Sequence, residues 1–467
     1  MDRTAANPMT RRSAILGSLL STLPTASWPT TSVGSLSADH ALTAALQALV
    51  DDPQHPLASL SLQCIHAGRT VYANQLGRRV IGESQQADLP VTPQTLFRMA
   101  SVSKMVVALG VLRLVDAGKL DLDADVGQIL GLPLRHPRFS QTAVTARMLL
   151  SHRASLSDLG GYRFEADVPL RKVLLGGGSH FDGGRSWLAQ QPGTYFQYCN
   201  FNYGVLASVM ELASGLRFDR LMQQEVLAPL GMAGGFDPSQ FTAAELANLA
   251  TLYRKRSADE VWNTNGPWEA QTDNLRGIRP TASTAPGSYV LGSNGTLYSP
   301  QGGLRTRVHD MGNVLLMLLQ GGEWQGQQFL SAKSVRALLT EQWRYKPDRH
   351  NGDHDNGLFQ AWGLGVQHFI DRSSSPARTG YGDRLVERGG MQAWGHLGDA
   401  YGLVSGAILD PQNKQGVVYV ISGVGADPDK NKAAYSSLSR WEAKALDLAW
   451  SHVRQLARIK SAPPSQH

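Results

Sequence analysis

Thr95-Leu96-Phe97-Arg98-Met99-Ala100-Ser101-Val102-Ser103-Lys104-Met105-Val106-Val107 is the stretch on which the reading of this chain turns. A strand-like run, Thr95 to Met99, leads into an apolar segment, Met105 to Leu114, and the junction holds a serine and a lysine three residues apart. On a helix that spacing puts Ser101 and Lys104 on one face, about a turn apart. The free N–H groups and positive dipole end of a helix N-terminus favour a developing anion. A serine hydroxyl is a poor nucleophile until a neighbouring base takes its proton. A lysine stripped of water gives up its own proton more readily and can be that base. The chemistry indicated is acyl transfer through a covalent serine ester. A Ser-x-x-Lys tetrapeptide arises by chance about once or twice in a chain of this length, so its surroundings have to decide.

The chain has 467 residues, 42% of them hydrophobic, enough for a large core in one big domain or two. With 18% charged residues, 48 glycines and no sustained heptad run, it reads as neither a disordered chain nor a coiled coil. Of the formal net charge of +6, Arg3, Arg11 and Arg12 against Asp2 account for +2, which leaves +4 on residues 27–467. No stretch interleaves Lys and Arg with aromatics as a nucleic-acid surface would. The expected partner is a small-molecule or peptide substrate, and nucleic acid is not.

The N-terminus reads as an address. Thr10-Arg11-Arg12-Ser13-Ala14-Ile15-Leu16 is a twin-arginine pair ahead of the apolar run Ala14 to Leu23, with small residues at Thr25-Ala26-Ser27 and again near Ser37-Ala38. The run is too short, and too broken by Gly17, Ser18 and Pro24, to span a bilayer. The expectation is a cleaved signal and an exported, periplasmic or extracellular protein with no membrane span in its mature chain. Only Cys64 and Cys199 occur, too few for a four-cysteine zinc site, and both read as small buried hydrophobes.

Working outward, residues 57–82 read as a hairpin turning at His66-Ala67-Gly68-Arg69. The helix opened by Ser101 is apolar nearly all round and stops near Ala117-Gly118, so it belongs at the centre of the molecule. A second helix is expected from about Tyr203 to Ala213, and others over Val308–Leu319 and Ser331–Leu339. Strands are expected at Phe359–Phe369, Gln392–Leu397, Leu403–Leu409 and Val417–Ser422, and a last helix from about Tyr435 to Ile459. The expected fold class is α+β: an antiparallel sheet flanked by helices, built from N- and C-terminal parts, with a mostly helical inserted region. The expected division is an export signal and linker over 1–38, the sheet region over 39–100 and 295–460, the helical region over 101–294 with a long loop at 253–294, and a frayed tail at 461–467.

Two further tripeptides carry chemistry. Tyr198-Cys199-Asn200 lies just ahead of the second helix, where a phenol beside a lysine could move a proton. His396-Leu397-Gly398, at the end of a strand, has a glycine that lets backbone approach a ligand and edge N–H groups that can hold an oxyanion. Taken in order, Ser101-x-x-Lys104, Tyr198-x-Asn200 and His396-x-Gly398 resemble the active-site serine hydrolases with the β-lactamase and penicillin-binding-protein fold. The tyrosine version is similar to the class C β-lactamase branch with its DD-peptidases, D-aminopeptidases and esterases. Thr92-Pro93-Gln94-Thr95-Leu96-Phe97-Arg98, Leu227-Ala228-Pro229-Leu230-Gly231-Met232 and Gly302-Gly303-Leu304 extend the resemblance over roughly 55–455.

The resemblance implies that Ser101 is the acylated nucleophile and that Lys104 and Tyr198 share the proton shuttling, either being the base. It implies that Asn200 hydrogen-bonds the lysine or the substrate amide, that the N–H groups of Ser101 and Asp399 form the oxyanion hole, and that His396 and Gly398 line the same edge. It requires no metal or organic cofactor. Leu397 and Asp399 depart from the Lys-Thr-Gly pattern of the β-lactamases in this branch. A missing hydroxyl and an added negative charge disfavour a substrate carboxylate, and His396 is mostly uncharged at neutral pH. The expected activity is therefore hydrolysis of another ester or amide, by an esterase, D-amino-acid peptidase or DD-carboxypeptidase. The alternatives are a β-lactamase proper, or a non-catalytic penicillin-binding or peptidoglycan-sensing protein. The run Asp348-Arg349-His350-Asn351-Gly352-Asp353-His354-Asp355 reads as a solvated loop rather than a metal site.

Overall fold

The computed structural model describes residues 33–82, 87–256, 261–283, 288–371 and 382–461. Strands Leu57–His66 and Arg69–Val80 form the expected antiparallel hairpin, joined through Ala67 and Gly68. Both turn residues have positive φ, 50° and 71°, which suits the twist of the flanking strands and which glycine adopts at no steric cost. The hairpin then pairs with the other end of the chain: Leu60 opposes Ile421 and Cys64 opposes Val417. Among the described residues this gives a nine-stranded antiparallel sheet. Its order in space is Trp343–Arg344, Ala361–Trp362, Gln367–Phe369, Ala393–Ala400, Leu403–Asp410, Gln415–Val424, Leu57–His66, Arg69–Val80 and Leu89–Pro90.

Both faces of the sheet are covered, which is why its central strands are buried along nearly their whole length. On strand Gln415–Val424, Val417, Tyr419 and Ile421 point to one face and Val418 and Val420 to the other. The first face packs on helices Val33–Val50 and Arg440–Ser461 through Leu42, Leu46, Trp441, Leu446 and Trp450. The second packs on helix Val308–Leu319 and on the inserted region, at whose centre lies helix Ser103–Asp116 with Met105 to Leu112 out of contact with solvent. Cys64 and Cys199 are free thiols buried on opposite faces. Among the described residues no helix is long and apolar enough to cross a membrane.

Several elements differ from expectation. The single strand expected over 359–369 is two short antiparallel strands folded back at Gly363–Val366, closed by the Gly363 N–H donating to the Val366 carbonyl at 2.8 Å. The last helix starts at Arg440 rather than Tyr435, because Ser439 and Glu442 form a capping box that sets its first turn. The strand carrying His396 runs on to Ala400, so the tripeptide lies inside it and not at its end. Helix Val33–Val50 runs through residue 38, where the leader was expected to give way to the fold. The 253–294 segment holds a two-stranded piece, Leu252–Lys255 with Trp268–Thr272. Between 117 and 200 the chain is mostly loop with five-residue helices, since Pro133, Pro137, Gly160, Gly161, Gly176 to Gly178 and Pro192 stop longer ones. The export signal expected over 1–38 lies largely outside the described residues.

Candidate active site

Ser101 sits in a 3-10 turn, Ala100–Val102, that feeds directly into helix Ser103–Asp116. Ala100 has φ +46°, a conformation non-glycine residues rarely take and one often found at functional sites. Three tethers hold the turn. The Met99 N–H donates to the Leu304 carbonyl at 2.8 Å, the Leu304 N–H donates to Ser103 Oγ at 3.1 Å, and Ser405 Oγ donates to the Met99 carbonyl at 3.0 Å. Ser103 is fully buried and structurally engaged, whereas Ser101 lines an open cavity.

Lys104 is fully buried, and its Nζ lies 2.9 Å from Ser101 Oγ, 2.8 Å from Asn200 Oδ1 and 2.7 Å from the Gln301 carbonyl. Loss of water disfavours the ammonium and holds this amine down at about 7, although Asp158 and Cys199 pull the other way. Tyr198 lines the same cavity as Ser101, and its ring centroid is 4.9 Å from Lys104 Nζ. Burial pushes the phenol up, so Tyr198 stays protonated at neutral pH. His152 and Phe359 stack on its ring, with centroids 4.5 and 5.3 Å away.

Asn200 stands at the start of helix Phe201–Ser214. Its amide nitrogen donates to Asp158 Oδ2 at 2.9 Å, which leaves the amide oxygen facing Lys104. The sequence reading left open whether Asn200 met lysine or substrate; the geometry puts its oxygen on the lysine.

Opposite, strand Ala393–Ala400 brings Gly398 against the turn that carries Ser101. A Cβ added there would lie 2.8 Å from the Met99 carbonyl oxygen and 3.0 Å from the Ser101 nitrogen. Beyond Gly395 this strand has no partner on its Gln367–Phe369 side among the described residues, which leaves the edge from His396 to Ala400 unpaired by them. His396 is buried, with Nδ1 2.5 Å from the Leu397 carbonyl. A carbonyl only accepts, so Nδ1 carries the hydrogen and Nε2 keeps a lone pair with no partner among the described residues. Loss of water, then the Lys104 charge, hold His396 down at about 3, so it is neutral. Asp399 is exposed at the rim. Partial desolvation and the acids Glu442 and Asp429 push its carboxyl up to about 6.

Ser101, Tyr198, Asn200, His396, Gly398 and Asp399 line a shared cavity of about 410 Å³. Its lining is rich in acids: Asp353, Asp355, Asp399, Asp429 and Glu442 face it, with Lys432 ion-paired to Asp429 at 3.0 Å. Of these acids, sequence reasoning names Asp399 alone as a site residue and misses the others. Asp353 and Asp355 belong to the run read as a solvated loop, and nothing in their local pattern points to a serine some 250 positions upstream. Asp158 and the Gln301 carbonyl were missed for the same reason, and a backbone oxygen has no sequence signature at all.

The Beta-lactamase family model matches residues 42–439, and the chain belongs to that family. It is 32% identical over 256 residues to Esterase EstB of Burkholderia gladioli, covering 49% of this chain and 61% of that protein. It is 29% identical over 196 residues to Penicillin-binding protein 4 of Amycolatopsis lactamdurans, covering 41% of this chain and 44% of that protein. Less than two thirds of either relative's length is therefore matched. A solved D-amino acid amidase from Ochrobactrum anthropi has the same fold, with a TM-score of 0.57 at 19% identity over 89% of this chain and 99% of the amidase.

Proposed function

We propose that this protein is a serine hydrolase that cleaves an ester or amide through an acyl-Ser101 intermediate. The observation that carries this reading is the environment of Lys104. Two of its three neighbours, Asn200 Oδ1 and the Gln301 carbonyl, only accept hydrogen bonds. A neutral amine has two N–H bonds and one lone pair, so those acceptors take both hydrogens and the lone pair is left facing the Ser101 hydroxyl. With the amine near 7 and the phenol pushed up, Lys104 is the base and Tyr198 the proton carrier.

The Ser101 Oγ–carbon bond forms as Lys104 takes the hydroxyl proton. The tetrahedral oxyanion lies between the Ser101 and Asp399 N–H groups. The carbon–leaving group bond breaks as the leaving group receives a proton through Tyr198. Water then attacks the ester, its proton returning to the same pair, and frees the acid and the serine. Ser101→Ala should abolish turnover of a panel of small esters and D-alanyl peptides; full activity in that variant would end the proposal. Labelled penicillin that stays on Ser101 without turnover would favour a non-catalytic penicillin-binding protein instead.

The acidic lining supports a narrower reading of the substrate, one bearing an amine. A cation there relieves the repulsion among Asp355, Asp399, Asp429 and Glu442, while a carboxylate adds to it. Amine-bearing esters or amides should then be turned over faster than their amine-blocked counterparts, and equal rates would count against the narrower reading alone. The Arg11-Arg12 signal pattern supports export as part of the same proposal.

A further inference from the structure

We propose that Asp158 is a positioning residue for acyl transfer: by accepting both N–H groups of Asn200 it fixes which end of that amide faces Lys104, and it sets a negative charge behind it. The inference rests on the reading of Ser101 as nucleophile and Lys104 as base. Asp158 lies in a 3-10 turn, Asp158–Gly160, whose side chain reaches across to the start of helix Phe201–Ser214. Its Oδ2 accepts the backbone N–H and the side-chain amide of Asn200, both at 2.9 Å. Its Oδ1 accepts the Phe201 N–H at 2.9 Å and the Cys199 thiol at 3.2 Å.

A plain helix cap needs only the backbone bonds. The side-chain bond does more, because a carboxylate can only accept. Were Asn200 flipped, its oxygen would oppose that carboxylate and its NH2 would oppose the Lys104 amine, losing both bonds. The groups around Lys104 leave no other anion to match. His152 and His396 are held neutral by burial, Cys199 is held as a thiol, and Tyr198 and Tyr203 are held as phenols. Ser101, Asn200 and the Gln301 carbonyl are uncharged. Asp158 is thus the negative group facing Lys104 among the described residues, and its charge favours the ammonium.

The test is the pH dependence of 4-nitrophenyl butyrate hydrolysis by Asp158→Asn, with Ser101→Ala and Asn200→Ala alongside. Losing the charge makes the amine easier to deprotonate, so the acid limb of kcat/KM should move to lower pH by about one unit. Freed amide orientation should lower kcat about tenfold with little change in KM. In the Asn200→Ala background, Asp158→Asn should cost kcat less than about twofold, since no amide is left to orient. Should Asp158→Asn fail to fold, Asp158→Ser, a capping residue without charge, gives the same reading by the same profile. A folded variant with an unmoved acid limb, or a full kcat loss persisting without Asn200, overturns the proposal. If Ser101→Ala retains hydrolysis, the nucleophile reading itself fails; if it is dead while the limb stays put, only the positioning role of Asp158 does.

Discussion

Gly398→Ala is the substitution the geometry condemns most directly. The new methyl carbon would meet Ser405 Oγ at 2.5 Å, the Met99 carbonyl oxygen at 2.8 Å and the Ser101 nitrogen at 3.0 Å. Ser405 can rotate, but only by giving up its hydrogen bond to Met99. The other two contacts are backbone, and ordinary contact begins near 3.4 Å. Strand and nucleophile turn must therefore separate by about half an ångström, close to the tolerance of a productive site. Because an ångström of misplacement costs about 10²-fold, kcat/KM for a small ester should drop roughly 10- to 100-fold. The fold should lose about 1–3 kcal/mol by overpacking.

The assay is steady-state hydrolysis paired with urea unfolding. Gly68→Ala is the control: that glycine has φ +71° and open space around its Cβ position. It should cost about 1 kcal/mol in stability and nothing in kcat. Wild-type kcat/KM in Gly398→Ala would refute the close approach of strand and nucleophile.

Three other outcomes are expected. Wild-type kcat/KM should fall about tenfold per unit as pH drops below about 7, because protonation of Lys104 removes the base; a flat profile down to pH 5 would contradict this. Asp399 titrates in the folded protein near 6 against an ordinary 3.8, so the folded state holds the extra proton between those values and stability declines as pH rises through them. Asp399→Asn should therefore gain on the order of 1 kcal/mol at pH 8 relative to pH 4 after solvent screening, read by urea unfolding at both pH values. Hydrolysis of a chromogenic cephalosporin should run at least about 100-fold below that of an amine-bearing ester, since five acids line the cavity against Lys432, itself paired to Asp429, and His396 is neutral.

The parts of this molecule legible in its sequence are those with local causes. Periodicity places helix Ser103–Asp116 at the centre, and Ala67-Gly68 marks the turn of the first hairpin. The junction at Ser101 and Lys104 is likewise local, and their hydrogen bond at 2.9 Å needs only one helical turn. Phe359–Phe369 reads as one strand because no proline or formal charge breaks it, yet Gly363 and Gly365 mark the place where it doubles back. The Ser439-x-x-Glu442 capping box was a readable start signal that the longer apolar pattern obscured. Asp158 and the acidic lining depend on contacts between residues 40 to 340 positions apart, and no local pattern encodes those.

The pairing of Leu57–His66 with Gln415–Val424 has a consequence for synthesis. The first strand of the sheet has no neighbour on that side until the ribosome has made residue 424, and Ser101 has no Gly398 beside it until nearly the same moment. Closing a loop of that span is slow compared with forming local helices. The nascent chain therefore carries Ser101, the proposed nucleophile, for most of its elongation without the strand edge proposed to hold the oxyanion. Activity should appear late and all at once, and C-terminal truncations ending before residue 415 should be inert and aggregation-prone rather than partly active.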